Sequence, residues 1–218
     1  MKQRIAKFLG DDLKLELSQE KTLITHARTK RAKFLGYEIS VASMNQKTRR
    51  PSASDRRNRR SVCGAVVLHV PASVVKAKSA PYLSRGKPAC RNPLVNETDY
   101  VIVGKYGIEY RGIVQYYFLA SDVQRLHRLR WVMETSMLKT LARKHGSSVT
   151  KMTARFKAKI ATPHGPRTCF EATLARDSRR ELVARFGGIP LKRQKTAELM
   201  GPVPEWWTPL IPAPVRAG

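Results

Sequence analysis

Acidic residues are scarce in this chain. Its 218 residues carry 42 Lys plus Arg against 16 Asp plus Glu, which gives a formal net charge of +26. Such an excess repels itself unless a polyanion compensates it, so nucleic acid is the leading candidate partner. In a neutral protein a run of cations would more simply be a solvated face. Here the overall charge favours contact with phosphates.

Cysteines and long apolar runs are also few. Cys63, Cys90 and Cys169 have no second cysteine or histidine at ligand spacing, which excludes a zinc site and a disulfide framework and predicts reduced thiols. The sequence has no apolar run of membrane-spanning length, and MKQRIAKFLG lacks the apolar core of a secretory signal. We therefore expect a cytoplasmic protein, with no membrane partner and no metal ion or cofactor of its own.

The longest helical pattern runs from Asp122 to Lys144. Asp122 is expected to cap this helix, and Gly146 is expected to end it. Apolar residues recur along it at spacings of three and four, which predicts a single buried stripe. The residues of this stripe are Val123, Leu126, Leu129, Met133, Met137 and Leu141.

Cations lie beside that stripe and on a second helical pattern. At about 100° per residue, four cations of the first helix fall within roughly 60° of one another. Ser147 and Ser148 open the second pattern, which continues to Ala161 with Val149, Met152, Phe156 and Ile160 inward. The candidate nucleic-acid contacts on the two helices are Arg125, Arg128, Lys139, Arg143, Lys144, Lys151, Arg155 and Lys159.

The first seventy residues read as a β-rich fragment with a basic loop. A short helix over residues 1–13 is expected to turn Ile5, Phe8 and Leu9 inward, and Leu23 and Ile24 are expected to rejoin the core. Strands are predicted over 14–17, 34–41 and 62–70, with Gly36 marking a bulge or a close backbone approach. The loop over 45–60 carries six arginines, of which Arg56 and Arg57 are candidate phosphate contacts.

The C-terminal third continues with weaker patterns. A separate helix is predicted over 111–120, a strand over 168–174 and a turn at RFGGIP, residues 185–190. Tyr116, Tyr117 and Trp131 could stack on unpaired bases, but aromatic residues at helical spacing are more often core residues. We therefore leave them out of the candidate site, as we do Trp206 and Trp207 in the Pro-rich tail.

Two groups of motifs carry a resemblance to a known family. LSQEKTLI and FLGYEI, at residues 17–24 and 34–39, resemble the closing blocks of a reverse-transcriptase palm. YRGIVQYYFLA, LRWVMETSMLKTLARKH and ARFGGIPLKRQKTA resemble the thumb-like maturase region called domain X. Together, and in this order, they resemble the C-terminal part of a bacterial group II intron-encoded reverse transcriptase and maturase.

This resemblance implies an α+β fold, in which a β-containing palm remnant precedes a mainly helical thumb and maturase domain. It assigns residues 1–41 to the end of the palm, 42–105 to a basic linker with connecting strands, 106–200 to domain X and 201–218 to a tail. It also implies group II intron RNA as the partner, with a DNA target or an RNA–DNA duplex as further partners. Lys21 matches a palm position near the nucleic-acid cleft.

The enzymatic status of the chain is left open. The family's paired catalytic aspartates in a YxDD hairpin precede the LSQEKT block, and they are missing here, as is an HNH nuclease module. Gly10-Asp11-Asp12 is not accepted as a substitute, because it ends a short helical pattern rather than joining two apolar strands. Mg²⁺ is expected only for the RNA and for a full-length polymerase.

The leading hypothesis is therefore an RNA-binding maturase that assists intron splicing. The alternatives are part of a split or truncated RNA-directed DNA polymerase, completed by a dimer or by an N-terminal half from another chain, and an inactive remnant with general nucleic-acid binding. Unpaired strand edges and an uncovered apolar face are expected for half a palm.

Overall fold

The structure is a computed structural model, and it describes residues 2–18, 22–42, 64–162, 165–176 and 179–194. The chain divides into two units, Met1–Val67 and Leu68–Gly218. Helices and small antiparallel sheets are both present, which confirms the predicted α+β class. The boundary falls within the segment predicted to be a linker.

The first unit contains one helix and a sheet. Helix α1 spans Lys2–Asp11, and strands β1 (Ala32–Phe34) and β2 (Tyr37–Val41) pair antiparallel. They belong to a three-stranded sheet in the order β1-β2-β3, where β3 is Val66–His69. Leu35 and Gly36 join β1 to β2 with φ of 44° and 74°. Positive φ at both central residues is typical of a two-residue hairpin turn, so the bulge predicted at Gly36 is wrong.

Several apolar residues of the first unit are not buried as predicted. Ile5 and Phe8 on α1 are 47% and 54% exposed, and α1 has no buried residue. Leu23 and Ile24 are 78% and 85% exposed. The spacing of Ile5 and Phe8 correctly predicted a helix. The prediction that Ile5, Phe8, Leu23 and Ile24 are buried is wrong, because no described element of this unit covers them. These four apolar side chains are therefore exposed in the described part of this unit.

The strand predicted over residues 14–17 is also wrong. Lys14 has a φ of 53°, in the left-handed region, and the residues after it are irregular. An extended strand cannot include that conformation. Helix α1 ends at Asp11 instead, in a turn closed by a hydrogen bond from the Asp12 amide to the Phe8 carbonyl at 3.0 Å.

The second unit is built around two long helices. After α2 (Ala72–Ser79), the hairpin β4 (Leu83–Ser84) with β5 (Lys87–Pro88) leads to α3 (Asp99–Tyr116) and α4 (Leu126–Lys144). Short 3₁₀ turns lie at Ala80–Tyr82, Asn92–Leu94 and Val123–Arg125. All six residues of the predicted apolar stripe are at most 1% exposed. The helix-period pattern of α4 is therefore confirmed as its core face.

Helix boundaries follow capping chemistry, with two corrections. Thr98 caps α3 by accepting from the Val101 amide at 3.3 Å. The helix then runs without a break to Tyr116, so the separate helix predicted over 111–120 is wrong. Asp122 does not cap α4; its carboxylate accepts instead from the Val70 amide at 2.8 Å. Gly146 ends α4 as predicted, with a φ of 55° and with the Ser147 amide bonded to the Ala142 carbonyl at 2.9 Å.

The second predicted basic helix is shorter than expected. Helix α5 spans Val149–Phe156 and is capped by Ser148, which accepts from the Lys151 amide at 3.2 Å. Strand β6 (Lys157–Ile160) follows at once and pairs with β7 (Arg167–Arg176), which pairs with β8 (Arg179–Gly187). Met152 and Phe156 are buried as predicted, but Lys159 lies on a strand. In KAKI, residues 157–160, charged and apolar residues alternate, which is the pattern of a strand, and the structure follows this pattern rather than the helical spacing.

The three-stranded sheet packs its apolar face against α3. Phe186 in β8 is fully buried, with ring centroids 5.4 Å from Tyr110 and 6.5 Å from Tyr106. Arg185, Phe186 and Gly187 therefore belong to strand β8, and the turn predicted over the whole RFGGIP segment is wrong for these three residues. Helix α3 lies close against β8 at Gly107, because a Cβ there would overlap the carbonyl oxygen of Arg185.

Tyr106 and Tyr110 offer a matched test of this core. Both are fully buried, but the Tyr106 hydroxyl lies 2.8 Å from Ser136 Oγ, whereas the Tyr110 hydroxyl has no partner among the described residues. We predict that Tyr106→Phe lowers the free energy of unfolding by about 1 kcal/mol, because it removes a made hydrogen bond. Tyr110→Phe should leave it unchanged or raise it. Urea unfolding of both variants measures the difference, and equal losses would contradict this assignment.

Candidate nucleic-acid interface

The structure describes eight of the eleven candidate contact residues. Lys21, Arg56 and Arg57 lie outside the described residues. Arg125 lies on the 3₁₀ turn before α4, Lys151 and Arg155 lie on α5, and Lys159 lies on β6. The other candidates lie on α4, namely Arg128, Lys139, Arg143 and Lys144.

Two cations flanking the apolar stripe of α4 join it to segments that precede α3. Lys139 Nζ donates to the Pro88 carbonyl at 2.7 Å, and Arg143 donates to Asn92 Oδ1 at 2.8 Å. Both bonds join residues that are 51 positions apart in sequence. They hold the β4–β5 hairpin and the following 3₁₀ turn against α4. This part of the predicted basic face is therefore used in internal contacts.

Arg125 and Lys144 are engaged at the two ends of α4. Arg125 donates to the Val70 carbonyl at 3.2 Å and pairs with Asp122 at 3.1 Å. Lys144 pairs with Asp99 Oδ1 at 2.7 Å, and His145 Nε2 lies 2.9 Å from the same oxygen. Burial alone would raise the pKa of Asp99, but its hydrogen bonds to Lys144 and His145 outweigh burial and lower the pKa. Asp99 is thus an anion that holds Lys144.

The remaining candidate cations face solvent. Arg128, Lys151 and Lys159 are exposed, and within the described part of the chain their side chains have no hydrogen-bond or ion-pair partner. Arg155 is exposed too, with its guanidinium carbon 5.3 Å from the centre of the Phe156 ring. Because a cation without a hydrogen bond or ion pair among the described residues gives up no such bond on meeting a phosphate, these four are the better candidates for phosphate contact.

Lys157 is an exposed cation next to two candidate residues that the sequence reasoning did not include in the site. Lys157 precedes Lys159 by two residues on β6, so both side chains project from one face of the strand. The alternation of cations in KAKI is the signal that could have found it. We call Lys151, Arg155, Lys157 and Lys159 the basic edge. The basic edge runs along α5 and continues into β6, and no acidic residue occurs in the sequence of these two elements.

The sequence of this second unit matches a family model described as type II intron maturase, over residues 66–198. That match covers more than half of the chain. The chain belongs to the type II intron maturase family. The matched region contains α2 to α5, the β6-β7-β8 sheet and all of the basic edge. The family resemblance noted from YRGIVQYYFLA and ARFGGIPLKRQKTA is confirmed.

Individual proteins with related sequences are intron-encoded. The chain is similar to the group II intron-encoded protein LtrA of Lactococcus lactis subsp. cremoris, with 34% identity over 169 residues. It is similar to the putative COX1/OXI3 intron 2 protein of Saccharomyces cerevisiae, with 29% identity over 168 residues. The alignments cover 72% and 73% of this chain but only 27% and 20% of those relatives. The maturase chain thus spans about a quarter or less of the length of these relatives.

The acidic residues of this maturase chain form no metal site that the structure describes. Asp11 and Asp12 are exposed at the end of α1 and the turn after it, as expected for solvent-facing residues. Over the described ranges, no group of three or more His, Cys, Asp and Glu side chains could hold a metal ion. None of the helices described combines the length and apolar content that a membrane span requires.

The exposure of the aromatic residues was predicted only in part. Tyr117 is 5% exposed and belongs to the core, as the helical spacing suggested. Tyr116 and Trp131 are 52% and 60% exposed, so the expectation that they pack in the core is wrong. Trp131 lies on α4, three residues after Arg128. An exposed indole three residues from a guanidinium with no partner among the described residues is a feature that helical spacing alone did not distinguish from a core position.

Proposed function

We propose that this maturase chain binds group II intron RNA and assists its splicing. The match of residues 66–198 to the type II intron maturase family carries the proposal. The exposed cations, Arg128 and the basic edge, support it because they lie inside the matched region. Structured RNA is recognised mainly through its shape, phosphates and 2′-hydroxyls, for which spaced cations on rigid elements are suited.

The protein's part in this mechanism is binding, and the RNA performs the transesterification. Cations that neutralise phosphates release bound counterions and bring RNA segments together. This lowers the Mg²⁺ concentration at which the RNA reaches its catalytic fold. Mg²⁺ is thus a requirement of the RNA. A DNA target or an RNA–DNA duplex presents the same phosphates to the same cations, and we include both as further partners.

A second candidate function is favoured by the first unit. Ile5, Phe8, Leu23 and Ile24 are each exposed, and exposed apolar side chains that lie together mark a protein interaction site. A second polypeptide, another copy or one carrying an N-terminal half, would cover it in an assembled RNA-directed DNA polymerase. Concentration-dependent sedimentation that is abolished by Ile5→Ser with Phe8→Ser supports this candidate. A monomer at every concentration, unchanged by added N-terminal half, rejects it.

Binding across a salt series tests the first proposal. The purified chain is titrated with its adjacent group II intron RNA and with an unstructured RNA of equal length. We expect a preference for the intron of at least about a hundredfold that survives raised salt, because phosphate-driven affinity alone collapses with salt. Equal affinities that disappear together as salt rises would leave only general nucleic-acid binding.

A further inference from the structure

The exposed indole of Trp131 has no role in the core of the maturase unit. Its side chain is 60% exposed, whereas the residues of the α4 core stripe are at most 1% exposed. Leu138 and Ala142 share its face of the helix, since offsets of seven and eleven residues return to within about 20° of the same direction. They are only 5% and 7% exposed. The face is thus covered toward the C-terminal end of α4 and open around Trp131.

The surroundings of Trp131 are polar and carry positive charge. His127, Arg128 and Trp131 are exposed, and Thr135 is half-buried one turn further on. Arg128 precedes the indole by three residues, a spacing that places two side chains side by side on a helix. Its guanidinium has no hydrogen-bond or ion-pair partner in the described ranges. Glu134, the nearest acidic residue in sequence, pairs with Arg130 at 3.6 Å.

We propose that Trp131 is a stacking platform for an unpaired base of the bound RNA, with Arg128 holding the adjoining phosphate. Every base has a π face, and an indole stacks on it with little regard to sequence. A protein partner would need a contiguous apolar surface, but the neighbours of Trp131 on this open face are polar. Arg128, which has no partner in the described ranges, and the chain's net charge of +26 complement the negative charge of a nucleotide. This inference rests on the proposed function and adds a contact with single-stranded loops.

Fluorescence and binding together test the platform in the full chain. Trp206→Phe and Trp207→Phe leave Trp131 as the single tryptophan. A short RNA hairpin with an unpaired loop should quench its emission, and a blunt duplex of equal charge should not. Trp131→Ala should weaken loop binding about tenfold, with duplex binding unchanged and the same salt slope. Trp131→Phe should retain most of the affinity.

Two control variants separate stacking from other effects. Arg128→Gln should reduce the salt slope by about one for both RNAs, because it removes a phosphate contact. Ile108→Ala, which removes another exposed apolar side chain that is 50% exposed, should change neither affinity. The proposal is overturned if Trp131→Ala binds the loop as tightly as the parent chain, or weakens loop and duplex equally. Emission that changes with protein concentration alone would show self-association and would overturn it too.

The two proposals fail in different ways. Quenching by any looped RNA without a preference for the intron would retain the stacking platform and reject the maturase function. A strong intron preference that Trp131→Ala leaves untouched would do the reverse.

Discussion

Replacing Gly107 with alanine is expected to lower the free energy of unfolding by about 3 kcal/mol, the upper part of the range for overpacking a core. The added Cβ would overlap the Arg185 carbonyl oxygen, which is backbone and cannot turn away as a side chain would. Helix α3 would have to move off β8. That movement separates Tyr106 and Tyr110 from Phe186, which they contact in the core.

Gly112→Ala is the matched control on the same helix. A Cβ at Gly112 would meet nothing within 4 Å, so the exchange should raise stability by up to about 1 kcal/mol through helix propensity alone. Urea unfolding of the two variants should therefore show changes of opposite sign in the free energy of unfolding. A Gly107→Ala variant as stable as the parent chain would show that α3 and β8 do not approach as closely as described.

Removing three cations that have no partner in the described part of the chain is expected to have the second large effect, on RNA binding. Arg128→Gln, Lys151→Gln and Lys159→Gln together should weaken intron RNA binding about a hundredfold near physiological salt and lower the salt slope by about three. Their exposed side chains have no bonds to lose within the described residues, so the free energy of unfolding should change by less than about 0.5 kcal/mol for each.

Lys139→Met with Lys144→Met is the charge control. These two lysines are held by the Pro88 carbonyl and by Asp99, so their loss should act on the fold. Removing Lys144 leaves a partly buried carboxylate with a single partner, and we expect a loss of about 1–3 kcal/mol in stability. The salt slope should change little. If this pair reduces the slope as much as the triple variant does, the distinction between internal and RNA-facing cations is wrong.

The α4 core could be predicted because it is a local property. Val123 to Leu141 repeat with the helical period, and Gly146 and Ser148 supply end and start signals a few residues away. The same reasoning failed in the first unit, where Phe8 and Ile24 have apolar character but no described element covers them. Periodicity identifies a face, and only the rest of the fold decides whether something packs on it.

The pairing of the cations could not be predicted, because it depends on contacts distant in sequence. Lys139 meets Pro88, and Lys144 meets Asp99, across 51 and 45 residues. The sequence placed both lysines in one candidate set with Arg128, which has no partner among the described residues. Phe186 was missed for a related reason, since the glycines after it suggested a turn over the whole RFGGIP segment. The wrong expectation for Trp131 arose because exposure, unlike period, is not a local property.

Splicing at limiting Mg²⁺ tests the central claim most directly. The adjacent group II intron RNA is incubated at a Mg²⁺ concentration where it splices slowly alone, with and without saturating full chain. We predict faster splicing with the chain and a clear loss of this acceleration with the Arg128, Lys151 and Lys159 triple variant. An unchanged splicing rate at saturating chain, with binding to the RNA confirmed in the same tube, would contradict the maturase account.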